Sequence, residues 1–141
     1  MAEIHFHSHL PVSWFRQRDR MRIAITDLFK REKKPLASLA VILVSDKELL
    51  SINKEFLNHD TYTDIITFNL SEGKECIGEL YISVERVMAN AGIFHVPKSQ
   101  ELRRVIFHGC LHLCGYKDKL KKDIQVIRQK EDEYLLRYLS K

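Results

Sequence analysis

Ser38–Val44 reads SLAVILV, an almost uninterrupted aliphatic run. Its length and its content of Val and Ile fit a β-strand covered on both faces. Immediately downstream, Ser45 and Glu48 have the spacing of a capping box, and Leu49, Ile52 and Phe56 continue it as a helix. A polar turn, DTYTD at 60–64, leads into a β-rich run from Ile65 to Leu70. Cys76–Ser83 (CIGELYIS) is its antiparallel partner, because Ser71–Lys74 suits a hairpin loop. Upstream, Ile4–Ser8 forms a short first strand. From Ser13 to about Arg31, Trp14, Met21, Ile25 and Leu28 recur at helical spacing in an Arg-rich segment, which predicts an amphipathic helix with a cationic outer face.

The rest of the chain reads as helix. Val84–Phe94 ends before Pro97, Ser99–Cys114 closes at Gly115, and Leu120–Leu139 carries Leu120, Ile124, Ile127, Tyr134 and Tyr138 along one stripe. The element order β-α-β-α-β-β-α-α-α predicts an α+β fold, a sheet of about four strands with about five helices packed on it. The five glycines and three prolines are scattered and there are no repeats, so residues 1–141 read as one domain.

Apolar residues make up 45% and charged residues 30%, the balance of a globular protein rather than a disordered one. No apolar run approaches the ~20 residues that span a bilayer, and the N-terminus lacks the apolar core of a signal peptide. The three cysteines cannot all pair, which predicts a reducing cytoplasm. The net charge of +4 permits a nucleic-acid partner without requiring one.

The chemistry concentrates in RRVIFHGCLHLCGYKDKLKKD, residues 103–123. His108 and His112 are four residues apart, so on a helix they share a face and can chelate one metal ion. Gly115 can end the helix in a left-handed conformation and turn the chain back, bringing Asp118 beside the two imidazoles as a third ligand. Two His and one carboxylate leave a fourth position for water, the form of a catalytic zinc site. The same helix carries Leu102, Val105, Ile106, Gly109 and Leu113 on an apolar face. Histidines at the edge of so buried a helix need partners for their ring nitrogens, and a metal would be one.

Two rival readings fail on geometry. Cys110 lies ~200° around the helix from His108, so a Cys₂His₂ site within this helix cannot close, and the cysteines read as small core residues. Metalloproteases carry H-E-x-x-H, with the Glu as general base, but Gly109 stands at the Glu position and cannot take a proton.

HGCLHLCGYKD (108–118) resembles the H-G-x-L-H-L-x-G-Y-D-H signature of the YbeY family, bacterial metal-dependent endoribonucleases of ribosomal-RNA maturation. LLSINKEFLNHDTYTDIITF (49–68) is similar to the family's L-N-x-x-[YF]-R-x-x-D-x-x-T-D-V-L-S-F block, and IGELYIS (77–83) to its L-G-D-I-x-I-S strand. The resemblance implies a single-strand-specific endoribonuclease acting on the 3′ end of small-subunit rRNA and in ribosome quality control. It also implies one zinc per chain, held by three side chains. Two positions depart from the pattern. Asp118 stands where the family has its third His ligand, and carboxylate oxygen binds zinc at about the same length as imidazole nitrogen. Leu57 stands where the family has an Arg thought to engage RNA phosphate, a job leucine cannot do.

Lys117, Lys119, Lys121 and Lys122 follow the proposed site and are candidates for steering RNA phosphate, set against an ordinary solvated helix start. Arg16, Arg18, Arg20 and Arg22 read as the wet face of the first helix, or a place for rRNA to dock. His5, His7 and His9 would share one face of a solvent-facing edge strand; His59 and His95 lack ligand spacing. Asp64 and Glu79 could each support a metal histidine or act as general base, and Asp64 could simply cap its turn. The sequence thus predicts a cytoplasmic, monomeric zinc endoribonuclease whose partners are rRNA and the small ribosomal subunit, with no membrane contact. The alternative is a zinc-containing assembly factor that binds RNA without cutting it, favoured by Leu57.

Overall fold

The aliphatic run at 38–44 becomes the second strand of the sheet, with a neighbour on each edge. The computed structural model describes residues 2–57 and 63–139. In chain order its elements are β1 (Glu3–Ser8), α1 (Arg18–Arg31), β2 (Leu36–Val44), α2 (Asp46–Leu57), β3 (Ile65–Asn69), β4 (Cys76–Ser83), α3 (Val84–Phe94), α4 (Lys98–Leu113) and α5 (Lys121–Leu139). The sheet order is β1-β2-β4-β3. β1, β2 and β4 run parallel, and β3 returns antiparallel to β4, with Phe68 opposite Glu79.

Strand alternation sends the two faces of β2 into two cores. Leu39, Val41 and Leu43 join the main core with Met21, Ile25 and Leu28 of α1, Leu102, Ile106 and Phe107 of α4, and Tyr134 and Tyr138 of α5. Ile42 and Val44 point the other way, into a smaller cluster with Leu49 of α2 and Ile66 of β3. Burying each large apolar side chain stabilises the fold by ~1.5–3 kcal/mol, so the main core carries most of the stability.

Three local readings need correction. α1 starts at Arg18, not near Ser13, because Gln17 takes a left-handed conformation (φ 60°). Val12 and Phe15 are buried ahead of it as a plug, with Phe15 edge-on to Phe6 of β1, and Trp14, read as part of the helical stripe, packs against the core from this segment instead. The capping box is half formed. Glu48 N–H donates to Ser45 Oγ (3.1 Å), but the Glu48 carboxylate is engaged with His9 Nδ1 (2.7 Å). In α5 the buried stripe is Ile127, Glu131, Tyr134, Leu135 and Tyr138, whereas Leu120 and Ile124 are exposed. The first turn of α5 overhangs a cleft, lined by Ile124, instead of the core.

The arginines around α1 are mostly structural. Arg20 stacks on the Tyr138 ring and donates to the Tyr138 carbonyl, while Arg22 donates to the Ile4 carbonyl (2.9 Å) and lies over Phe6. Arg18 reaches Ser8 and sits over Phe15. These contacts stitch α1 to β1 and α5. Among the described residues no helix is long and apolar enough to cross a membrane.

Candidate metal centre

α4 lies against the sheet because two glycines remove the side chains that would hold it off. A Cβ on Gly109 would come within 2.7 Å of Ile65 Cδ1 and Leu80 Cδ2, and one on Gly78 within 2.6 Å of Leu113 Cδ1. The residue that denies the chain a protease-type base is therefore also the one that lets the helix seat. At the far end, Cys114 is still right-handed and Gly115 takes φ 106°. Gly115 N–H donates to His112 O and Tyr116 N–H to Leu111 O, both at 3.0 Å, which closes the helix and turns the chain back.

That turn delivers Asp118 to the two imidazoles. His108 Nε2 and His112 Nε2 are 3.0 Å apart, His112 Nε2 and Asp118 Oδ2 3.2 Å, and His108 Nε2 and Asp118 Oδ2 3.4 Å. Ligands held at 2.0–2.1 Å around a tetrahedral ion lie about 3.3 Å from one another. The three atoms have the spacing of one face of such a tetrahedron, and the group can hold a metal ion.

The other ring nitrogens explain why these atoms face inward. His112 Nδ1 lies 2.9 Å from the Tyr116 carbonyl, which only accepts, so Nδ1 carries the proton and Nε2 presents a lone pair. His108 Nδ1 lies 2.6 Å from the Glu131 carboxylate, which fixes the same tautomer. In these neutral tautomers two lone pairs and a carboxylate oxygen converge, an arrangement that a cation would satisfy.

A second layer holds the first. Glu131 is buried and bridges His108 to Arg104 Nη1 (3.2 Å), and Arg104 Nη2 continues to Asp132 (2.8 Å). Burial lowers the His108 pKa, but the Glu131 hydrogen bond and charge outweigh it and the net shift is upward. Tyr116, whose carbonyl orients His112, donates its hydroxyl to Glu32 (2.6 Å), as does Tyr134. Sequence reading missed Glu131 and Glu101. The available signal was a carboxylate at a core position of each helical stripe: Glu131 between Ile127 and Tyr134, and Glu101 beside Leu102.

Other predicted residues divide clearly. Asp64 stands close to His108, and burial raises its pKa against the opposing influence of His108 and of its own and Ile65's backbone N–H groups. Glu79 does not belong here. Leu80 meets α4, so strand alternation places Glu79 on the opposite face, where the Tyr81 hydroxyl donates to it (3.4 Å). Cys110 is fully buried and its thiol is pushed well up; burial, with Glu32 nearby, pushes Cys114 to about 12. Both pack in or against the core, outside the group of His108, His112 and Asp118. His5 and His7 stack on the exposed face of edge strand β1, and His95 is the left-handed C-cap of α3. His59 lies outside the described residues.

Two clefts meet at the centre, sharing Asp64, His108 and Asp118. One, of about 710 Å³, follows edge strand β3 past Thr67 and Asn69 to Asn53, Leu57 and Lys119. The other, of about 320 Å³, runs between α3, α4 and α5 past Asn90, Glu101, Arg104 and Arg128. Of the four candidate lysines, Lys119 lines the larger cleft, while Lys117 borders a separate depression with Tyr116 and Asp123. Lys121 and Lys122 are exposed at the start of α5.

Glu101 is buried at a cost in stability. Burial, opposed by Arg104 and reinforced by Asp64 and Glu131, raises its pKa from 4.5 to about 6. The folded protein therefore binds this proton more tightly than the unfolded chain does, and stability falls as pH rises from about 4.5 through 6. Above that window the ionised carboxylate costs up to about 2 kcal/mol. Glu101→Gln is expected to raise the melting temperature at pH 8 by several degrees and to leave it unchanged at pH 4. Melts at the two pH values check this, and an equal shift at both would remove Glu101 ionisation as the cause.

A mixed sheet carrying a buried helix, with two imidazoles meeting a carboxylate from the following turn, defines a small α+β protein with a three-donor group that could hold a metal ion. Among known proteins, the family described as Endoribonuclease YbeY matches residues 4–139. The chain belongs to that family. It is 48% identical to Endoribonuclease YbeY of Flavobacterium psychrophilum over 79% of each chain, and 47% identical to that of Cytophaga hutchinsonii over 85% of each. The Christiangramia forsetii protein is 41% identical over 94% of this chain and 92% of its own. A Thermotoga maritima protein known from its solution structure shares the fold, with a TM-score of 0.69 and 27% identity over 97% of this chain and 89% of that one.

Proposed function

We propose that this protein is a zinc-dependent endoribonuclease that cuts single-stranded RNA, with His108, His112 and Asp118 as the metal ligands and the 3′ end of small-subunit rRNA as its target. The observation that carries the reading is the convergence of three acceptor atoms 3.0–3.4 Å apart at the meeting point of two clefts. Bound there, zinc would supply Lewis acidity toward a scissile phosphate or an attacking hydroxyl. Glu131 and the Tyr116 carbonyl hold the imidazoles in the tautomer that ligation needs. Asp64, which lines both clefts, would take a proton from the attacking hydroxyl. Along the larger cleft, Asn53, Thr67 and Asn69 offer neutral hydrogen-bonding groups and Lys119 a cation, a lining that suits a single strand's sugars and phosphates.

Leu57 lines the same cleft where the family pattern has Arg, and it favours the second reading, an rRNA-binding assembly factor of the small subunit that does not cut. Incubating the protein with single-stranded RNA as purified, after chelation, and with zinc restored separates the two. Cleavage lost on chelation and regained with zinc is expected. RNA that is bound but intact in all three states would leave only the second reading.

A further inference from the structure

Glu101 is a charged side chain with no evident structural use. It is 4% exposed, yet among the described residues its carboxylate's contact is Arg104 Nε at 3.9 Å, beyond hydrogen-bond reach. Arg104 gives its hydrogen bonds instead to Glu131 and Asp132. Buried carboxylates normally accept several hydrogen bonds, because leaving them unmade costs more than the fold regains. The carboxylate lines the smaller cleft, which at about 320 Å³ falls at the lower end of small-ligand sites. That cleft opens onto the metal centre through His108 and Asp118.

The lining narrows the ligand. Arg104 and Arg128 bear on Glu101 together with the carboxylates Asp64 and Glu131, so the cleft sets hydrogen-bond donors and acceptors side by side. Phe94, Ile124 and Ile127 give the cleft apolar walls for a flat, π-faced group, and Asn90 adds an amide. Glu101 precedes His108 by seven residues, two helical turns or ~10 Å along α4, a span comparable to that from a phosphate to the far edge of its own base. A carboxylate beside an arginine is complementary to one base edge in particular. Guanine sets two donors, N1–H and the 2-amino group, next to the acceptors O6 and N7, which arginine reads. Adenine, cytosine and uracil each offer a carboxylate at most one donor group along that edge.

Building on the endoribonuclease reading, we infer that the cleft between α3, α4 and α5 is a nucleobase subsite that takes a guanine next to the scissile phosphate, read by Glu101 with an arginine beside it. At neutral pH Glu101 is mainly the acceptor-only carboxylate that this pairing needs, since its raised pKa is still about 6.

The test is titration of the zinc-loaded protein with the 5′-monophosphates of guanosine, adenosine, cytidine and uridine. The phosphate is common to all four, so differences between them report on the base. Guanosine monophosphate is expected to bind about tenfold more tightly than adenosine monophosphate. Glu101→Gln, which replaces two acceptors by one acceptor and one donor, is expected to lose that preference and move toward adenine. Equal affinities for the four nucleotides in the parent, or a guanine preference kept by Glu101→Gln, would overturn the subsite; a variant that fails to fold leaves the parent comparison to decide. Mapping cuts in a single-stranded RNA of mixed sequence separates this inference from the reading it rests on. Cuts without base preference overturn the subsite and leave the nuclease. Guanine-selective binding without any cleavage upholds the subsite and overturns the nuclease.

Discussion

His112→Ala is expected to weaken zinc binding by well over 100-fold, more than the 10–100-fold typical of removing a residue that only supports a ligand. Two protein donors remain, and a zinc site needs at least three. The His108→Ala/His112→Ala double variant is expected to hold no zinc under the same conditions. At Asp118 the substitution series is graded. Asp118→Asn loses the anionic oxygen and is expected to bind more weakly. Asp118→His restores the family's pattern and is expected to retain zinc, since imidazole and carboxylate bind at similar lengths. Dissociation constants from competition with a coloured chelator give the ranking. An Asn variant with parental affinity would take Asp118 out of the site, and full occupancy in the double variant would refute the centre altogether.

Glu131→Ala is expected to produce the second-largest effect, a 10–100-fold loss of zinc affinity from a residue that is not a ligand. Its carboxylate holds His108 Nδ1 at 2.6 Å and Arg104 Nη1 at 3.2 Å in a buried setting. Removing it frees the imidazole to turn and, among the described residues, leaves Arg104 with Asp132 in hydrogen-bond range, so a stability loss of about 3 kcal/mol is expected as well. Glu131→Gln separates the two effects. The amide oxygen can still accept from Nδ1 but no longer raises the basicity of the ring, so zinc affinity is expected to fall about tenfold while orientation is kept. Zinc titrations and chemical denaturation on parent and both variants provide the check. Parental zinc affinity in Glu131→Ala would make Glu131 a packing residue alone.

Much of this was readable before any tertiary structure, for reasons local to the chain. After Ser38, SLAVILV has no polar residue to turn toward water, so it had to be covered on both faces, and it is. His108 and His112 share a helical face by periodicity alone, and Gly115 is the residue that can take the φ of 106° needed to turn Asp118 back toward them. What lay hidden depends on contacts between segments far apart in sequence. Glu131 reaches His108 across 23 positions, and Glu32 reaches Tyr116 across 84. Periodicity cannot report such a contact, since it carries the phase of a helix but not which helix it faces. The same limit misplaced Glu79: the strand and its alternation were legible, but the side of the sheet on which α4 would lie was not. The sequence by itself determined the element order, the helix-borne histidine pair and the turn that follows it. Only the tertiary structure decided which carboxylates stand behind the histidines and where the two clefts meet, because those follow from how α4 and α5 pack together, and packing is settled by the whole core at once.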